Sequence, residues 1–285
     1  MMSAINGGLR AWDALRAHWP EYLIEAWALG IFMISAGIFS TLFEHPASPA
    51  YLGIHDAVAR RVLVGIAMGL TAVGLIYSPW GKRSGAHMNP AVTLTFWRLG
   101  KVAGWDTIFY ILAQFMGGVL GVMLTVALLR DAFTTPPVEY VVTSPGTLGV
   151  GGAFAAEFLI SALLMGVILT LSNHPRWVKF TGFCAGALVA IYIAIEAPLS
   201  GMSMNPARSF ASAFPAGVWT GMWIYFTAPV LGMQVAAAWH QFRSADPAAG
   251  CAKLVHTPRE RCIHCGYVPP AAETEVAATT LEVTK

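Results

Sequence analysis

The sequence predicts an all-helical (all-α) membrane protein in which six transmembrane helices and two re-entrant half-helices form inverted three-span repeats. Three observations carry that prediction. Charged residues are 11% of the 285-residue chain and hydrophobic residues 56%, whereas a soluble domain carries about 25% charged residues. Six apolar runs are long enough to cross a bilayer, and one eight-residue motif occurs twice, at matching places in the two halves.

Lipid is therefore the expected solvent, because one water-facing core cannot hold so much apolar surface. The net charge of +2, on scattered carriers, does not make a nucleic-acid surface, and no nucleic-acid partner is expected. Four cysteines, three of them crowded between Cys251 and Cys265, are not the spread framework of a disulfide-stapled secreted domain.

Residues 1–21 place Arg10, Asp13 and Arg16 among Leu9, Trp12, Leu15 and Trp19. There is no unbroken apolar run and no small-residue cleavage site, so this is not a signal peptide. It reads as a cytoplasmic N-terminal segment, either an interfacial helix with indoles at headgroup depth or a solvated turn. Apolar runs follow at 22–43, 61–80, 107–129, 153–172, 180–198 and 218–241. About 20 residues at 1.5 Å each cross about 30 Å of hydrocarbon, and unbroken runs favour helices over barrel strands. The channel domain is thus 22–241, with repeats over about 22–130 and 153–241. With both termini in the cytoplasm, Lys82, Arg83, Arg98, Lys101, Arg176, Lys179 and Arg243 lie inside, against Arg60, Arg61 and Arg130 outside, as the positive-inside rule requires. Residues 242–285 turn to Pro, Ala, Thr and Glu and read as a flexible cytoplasmic tail.

The repeated motif is Ser84-Gly85-Ala86-His87-Met88-Asn89-Pro90-Ala91 and Ser200-Gly201-Met202-Ser203-Met204-Asn205-Pro206-Ala207, identical at six of eight positions. Each copy follows the second span of a three-span half. An odd number of spans puts the second half in the opposite sense, so the two motifs face each other. Asn is a favoured N-cap and Pro a favoured first helical residue, so each copy starts a helix. The first is expected over 90–99, before Gly100, and the second over 206–214, before Pro215, each about 14 to 15 Å long. Half-helices entering from opposite faces meet near the midplane and together replace a seventh span. Non-helical backbone at that depth lines a wet path, and Asn89 and Asn205 offer amide donors where the tips meet. A cation there faces two positive helix ends and Arg208, so protons and metal ions are rejected while neutral hydroxylic molecules exchange partners and pass.

The duplicated Asn-Pro-Ala, with Ser-Gly-Ala-His before the first and Arg-Ser after the second, resembles the aquaporin and glycerol-facilitator (major intrinsic protein) family over most of 22–241. The resemblance implies a homotetramer with one pore per subunit and Asn89 and Asn205 at the central constriction. It also implies a selectivity ring of Arg208, Met202, Ile193 and Met68. The last two each admit a one-residue offset, with Tyr192 the rival of Ile193. Water-selective relatives usually carry an aromatic and a His at the two positions occupied here by Met68 and Ile193. Glycerol-type relatives usually follow the motif's Arg with Asp, where this chain has Ser209, and Tyr225-Phe226 is the aromatic pair typical of water channels. A passive channel for water and small neutral solutes follows, with a glycerol facilitator as the alternative reading.

Glu25 and Glu157 sit at matching depths in the first and fourth spans. Either they brace the re-entrant loops by accepting hydrogen bonds, the role that the family resemblance favours, or they form a proton relay. His87 lies in the vestibule, as packing support or as a pH gate. Gln114 reads as an interhelical polar contact, and the pairs Gly117/Gly121 and Gly182/Gly186 as close-approach sites. Cys184 reads as a packing residue. In the tail, Cys251, His256, Cys262, His264 and Cys265 hold one Cys-x-x-Cys, a weak zinc pattern, and free thiols are the expectation. No metal, cofactor or catalytic residue is expected, because Asn, Arg and Met supply no enzymatic chemistry. A secondary transporter with alternating access is the nearest rival, since inverted repeats with broken helices also build carriers. The absence of a signal peptide suggests a bacterial inner membrane.

Overall fold

The computed structural model describes residues 10–243, 250–257 and 261–268. In chain order the helices are α1 Ala11–Glu44, α2 Pro49–Gly53, α3 Ala57–Tyr77, α4 Pro79–Ser84, α5 Pro90–Arg98, α6 Gly104–Leu129, α7 Asp131–Thr134, α8 Gly149–Ser172, α9 Thr181–Ser200, α10 Pro206–Ala216 and α11 Met222–Arg243. By length and composition α1, α3, α6, α8 and α9 are apolar enough to cross a membrane. The sixth expected span, α11, has the length at 22 residues, but Pro229, Gln234, His240 and Gln241 lower its hydropathy. The short helices α5 and α10 are the two half-helices.

The halves repeat in packing as well as in sequence. The closest pairs are α1 on α6, α8 on α11, and α3 on α9. Because α8, α9 and α11 are the counterparts of α1, α3 and α6, the first two pairs are one contact made twice, and α3 on α9 joins the halves. Glycine permits that junction. A Cβ on Gly69 would lie 2.5 Å from the Gly186 carbonyl oxygen, and one on Gly186 would lie 2.6 Å from that of Gly69. The α1–α6 contact is closer still, since a Cβ on Gly117 would lie 2.0 Å from Ala26 O. Small residues let backbones meet where lipid gives no hydrophobic push.

The outside of the bundle suits lipid. Leu70, Leu120, Leu128 and Ile195 are each more than 60% exposed, a surface a soluble monomer does not present so broadly. Trp12, Trp80, Trp97, Trp105, Trp177 and Trp239 are exposed at the face where α1 begins and α11 ends, and Trp219 and Trp223 at the opposite one, in the manner of interfacial indoles. The first face also holds the tail and is the tail face; the other is the far face.

Three expectations need correction. Residues 11–21 are not a separate segment, because α1 runs unbroken through Pro20. The polar side chains there find partners instead of ending the helix: His18 Nδ1 lies 2.8 Å from Asp106 Oδ1, the Tyr22 hydroxyl donates to Asp106 at 2.6 Å, and Arg83 Nε donates to Glu21 at 3.1 Å. Residues 1–9 lie outside the described residues. The second half-helix does not stop before Pro215 but continues to Ala216, where Gly217, at φ +69°, closes it; so near the C-terminus a proline costs little of the helix that precedes it. The tail, expected to be flexible because it cannot fold alone, packs against the channel over 250–257 and 261–268, burying Ala252, Leu254, Val255 and Cys262.

Candidate pore and its lining

Each Asn-Pro-Ala opens its half-helix by capping. Asn89 Oδ1 accepts the Ala91 N–H at 2.8 Å, and Asn205 Oδ1 accepts those of Ala207 and Arg208 at 3.0 and 3.2 Å, with proline next in each case, where its missing N–H is no loss. The approach loops share one backbone course. Gly85 and Gly201 have φ of +109° and +79°, Ala86 and Met202 +56° and +51°, and Met88 and Met204 +49° and +54°. Left-handed conformations at Ala and Met are costly and persist only when surroundings enforce them.

The enforcing groups are the two buried carboxylates, both 0% exposed. Glu25 accepts the Ser84 hydroxyl (2.7 Å), the N–H groups of His87 (3.1 Å) and Met88 (2.6 Å), and the Gln114 amide (2.9 Å). Glu157 accepts the Ser200 hydroxyl (2.6 Å) and the N–H groups of Ser203 and Met204 (2.7 Å each). Each carboxylate thus holds the equivalent hydroxyl and the same two loop amides of its own half, and charge-assisted bonds of this kind are roughly twice as strong as neutral ones.

The tips then cross. Asn89 Nδ2 donates to Met204 O at 2.6 Å, and Asn205 Nδ2 donates to Met88 O at 2.7 Å. A side-chain amide has two N–H donors, so each asparagine ties the opposite loop with one and keeps the other. Both line a single cavity of about 510 Å³ together with Met68, His87, Ile193, Met202 and Arg208. Tyr192 does not line it, and its buried hydroxyl has no hydrogen-bond partner among the described residues. The cavity reaches from Glu44, Ala57 and Arg61 at the far face to Ile76, His87 and Leu254 at the tail face.

Several residues that shape this path were not foreseen. Arg208 Nη1 donates to Val141 O at 2.8 Å, and Glu139, Tyr140 and Val141 take positive φ values of +40°, +56° and +51°. Ser209 fastens that loop, its hydroxyl lying 2.8 Å from Thr143 Oγ1 and 2.6 Å from Ser203 Oγ. The serine after Arg208 was noticed only as a departure from glycerol-type relatives. Glu196, also buried, shares the Ser200 hydroxyl with Glu157. At the tail face His87 Nε2 donates to Ala252 O at 2.8 Å, its Nδ1 lies 3.1 Å from Thr93 Oγ1, and its ring stacks on Phe96 and His264. In the tail, the hydrogen bond between Cys251 and Cys262 pushes the Cys262 thiol down and Cys251 upward, and burial lowers His264.

Residues 10–240 match the sequence profile of the family described as major intrinsic protein. The chain belongs to that family. This major intrinsic protein is a multi-pass integral membrane channel and not an enzyme. It is 37% identical over 215 residues to a probable NIP-type aquaporin of Nicotiana alata, covering 74% of this chain and 76% of that one. To aquaporin NIP2-3 of Zea mays it is 31% identical over 245 residues, 84% of this chain and 79% of the other. Its fold is similar to that of the Plasmodium falciparum aquaglyceroporin, with a TM-score of 0.64 at 21% identity over 79% of this chain and 95% of that one. The two curated relatives are plant proteins, so the expectation of a bacterial inner membrane is not borne out.

Proposed function

We propose that this major intrinsic protein conducts water passively, and small neutral solutes with it, while excluding protons and ions. The reading is carried by the reciprocal crossing of Asn89 and Asn205 inside one continuous cavity. A permeant at the crossing meets one free amide N–H from each side, at the positive ends of α5 and α10. Helix ends of this kind carry roughly half an elementary charge, which favours an acceptor oxygen and repels a cation. The remaining N–H groups orient a water oxygen toward both asparagines and interrupt its hydrogen-bonded file, so a proton has no continuous wire to follow.

Arg208, Met202, Ile193 and Met68 form the selectivity ring on the far side of that crossing. Arg208 is held by Val141 O, which fixes its charge in place. The facing thioethers and isoleucine offer apolar, adaptable contact, and this composition favours glycerol as the second permeant. Glu25 and Glu157 brace the loops, His87 supports the vestibule, the assembly is a homotetramer with one pore per subunit, and the tail face is cytoplasmic.

Stopped-flow light scattering on proteoliposomes tests the reading. Shrinkage in sucrose faster than in empty vesicles is expected, with slower re-swelling in glycerol. Shrinkage no faster than in empty vesicles overturns the water reading, and fast shrinkage with no re-swelling removes glycerol.

A further inference from the structure

The tail residues over the pore mouth carry four metal-ligand atoms in one place. Cys251 Sγ, His256 Nε2, Cys262 Sγ and Cys265 Sγ all lie within 4.8 Å of one another. Cys251 Sγ is 3.3 Å from Cys262 Sγ, and Cys265 Sγ is 3.3 Å from His256 Nε2. A disulfide would need about 2.05 Å, so the thiols are free. A tetrahedral Zn²⁺ with Zn–S of about 2.3 Å has S···S edges of about 3.8 Å, and Cys₃His is one of its standard structural ligand sets. The Cys251–Cys262 pair is closer than that edge, and no two of the four ligand atoms are more than 4.8 Å apart.

The surroundings are those of a metal-binding turn. Cys262-Ile263-His264-Cys265-Gly266 closes on itself, with Gly266 N–H donating to Cys262 O at 3.0 Å, Cys262 N–H donating to Tyr267 O at 2.8 Å, and Gly266 at φ +71°. Backbone N–H groups of Lys253, Cys265 and Tyr267 are directed at the sulfurs of Cys251, Cys262 and Cys265 respectively. Such outer contacts orient thiolate ligands and spread their charge. Lys253 supplies a second, independent sign. It is 2% exposed, its ammonium donates to Arg261 O at 3.2 Å, and it forms no carboxylate ion pair among the described residues. A buried cation needs anionic neighbours, and three thiolates on a divalent ion provide a net negative charge beside it.

The ligands bracket the residues that seat the tail on the first approach loop. Between Cys251 and His256, Ala252 O accepts from His87 Nε2, Leu254 N–H donates to Gly85 O at 3.2 Å, and the Leu254 side chain lines the cavity. Between Cys262 and Cys265, His264 Nε2 donates to Ser84 O at 3.0 Å. Every one of these contacts is made to the first approach loop or to the histidine within it. A segment with so little regular structure must offset its ordering entropy, and metal binding supplies that as folding free energy.

We propose that Cys251, His256, Cys262 and Cys265 bind a thiophilic divalent cation, with Zn²⁺ the best match, and that the loaded tail caps the channel at its tail face. The capping half rests on the channel function proposed above; the metal site does not. Occupancy of the site lowers permeation, and stripping it releases Leu254 from the mouth.

The test uses the full chain, reduced and stripped with a strong chelator, then titrated with Co²⁺ as a spectroscopic probe. One equivalent per chain is expected, with thiolate-to-cobalt charge-transfer bands and the intense visible bands of tetrahedral cobalt, displaced by Zn²⁺. Cys265→Ser, an exposed position, weakens these bands, and His256→Ala is the second ligand variant. Proteoliposomes are then compared with and without Zn²⁺: shrinkage of the wild type speeds up severalfold on stripping, Cys265→Ser is fast in both states, and Leu254→Ser binds cobalt yet is fast in both. Absence of the bands, or bands unchanged in both ligand variants, overturns the site. A Cys251–Cys262 disulfide that survives the reduction overturns it too. Full binding with equal flux in both states of the wild type overturns the cap. A chain that binds metal but conducts in no state or variant overturns the channel function and leaves the site standing.

Discussion

Asn205 is both the cap of α10 and the donor that crosses to Met88 O, and the two duties separate on substitution. Asn205→Asp keeps the capping oxygen, which aspartate supplies equally well, but replaces the crossing donor with a negative charge that offsets the half-helix dipoles. Cation leak is expected to rise, read as current across a planar bilayer, with folding preserved; an unchanged current contradicts the electrostatic barrier. Arg208→Ala removes the fixed charge beside Met202, and glycerol re-swelling is expected to rise severalfold with water flux kept. Glu157 acts on the backbone. Glu157→Ala strands the N–H groups of Ser203 and Met204, at about 1–3 kcal/mol for each buried donor left unmade. The melting temperature in detergent should fall markedly, and less for Glu157→Gln, which retains one acceptor oxygen.

At the scale of elements, the junction of α3 and α9 depends on the absence of two side chains. Gly186→Val would drive a branched side chain into the Gly69 carbonyl, 2.6 Å from the new Cβ. Overpacking of this sort costs about 1–3 kcal/mol, and thermal unfolding followed by circular dichroism should register it. Gly166→Ala, whose new Cβ would meet no neighbouring element within 4 Å among the described residues, should not lower the melting temperature. The half-helices were legible in the sequence because their starting signal is local: Asn offers the capping oxygen, Pro accepts the first helical position, and the duplication says where the partner is. Their ends were less so, since Pro215 reads as a stop and the helix passes through it to Gly217. The start of α1 was misread for a related reason. Its polar residues look like a break, yet Arg10 pairs with Asp13 one turn on, and His18 and Glu21 find their partners in Asp106 and Arg83, far away in sequence. The loop that holds Arg208 left almost no trace, because its work is done by a carbonyl, at Val141, and every residue has one.

Over the whole molecule, the inverted repeat places the start of α1 and the end of α11 on one face, and sidedness can be measured. In sealed vesicles an impermeant thiol reagent should reach Arg10→Cys and Ala47→Cys from opposite sides; labelling of both from one side contradicts the topology. The tail shows how composition misleads at this scale. Pro, Ala, Thr and Glu cannot build a core, yet 250–257 and 261–268 borrow one from the channel, seating Ala252 and Leu254 beside His87 and Gly85. Among the described residues that seat exists at one end only, although the two halves repeat each other in motif and in packing. Detailed balance then fixes what such a stopper does: obstruction at a single entrance retards influx and efflux by the same factor. It throttles exchange without biasing its direction, so any net movement still follows the osmotic or solute gradient.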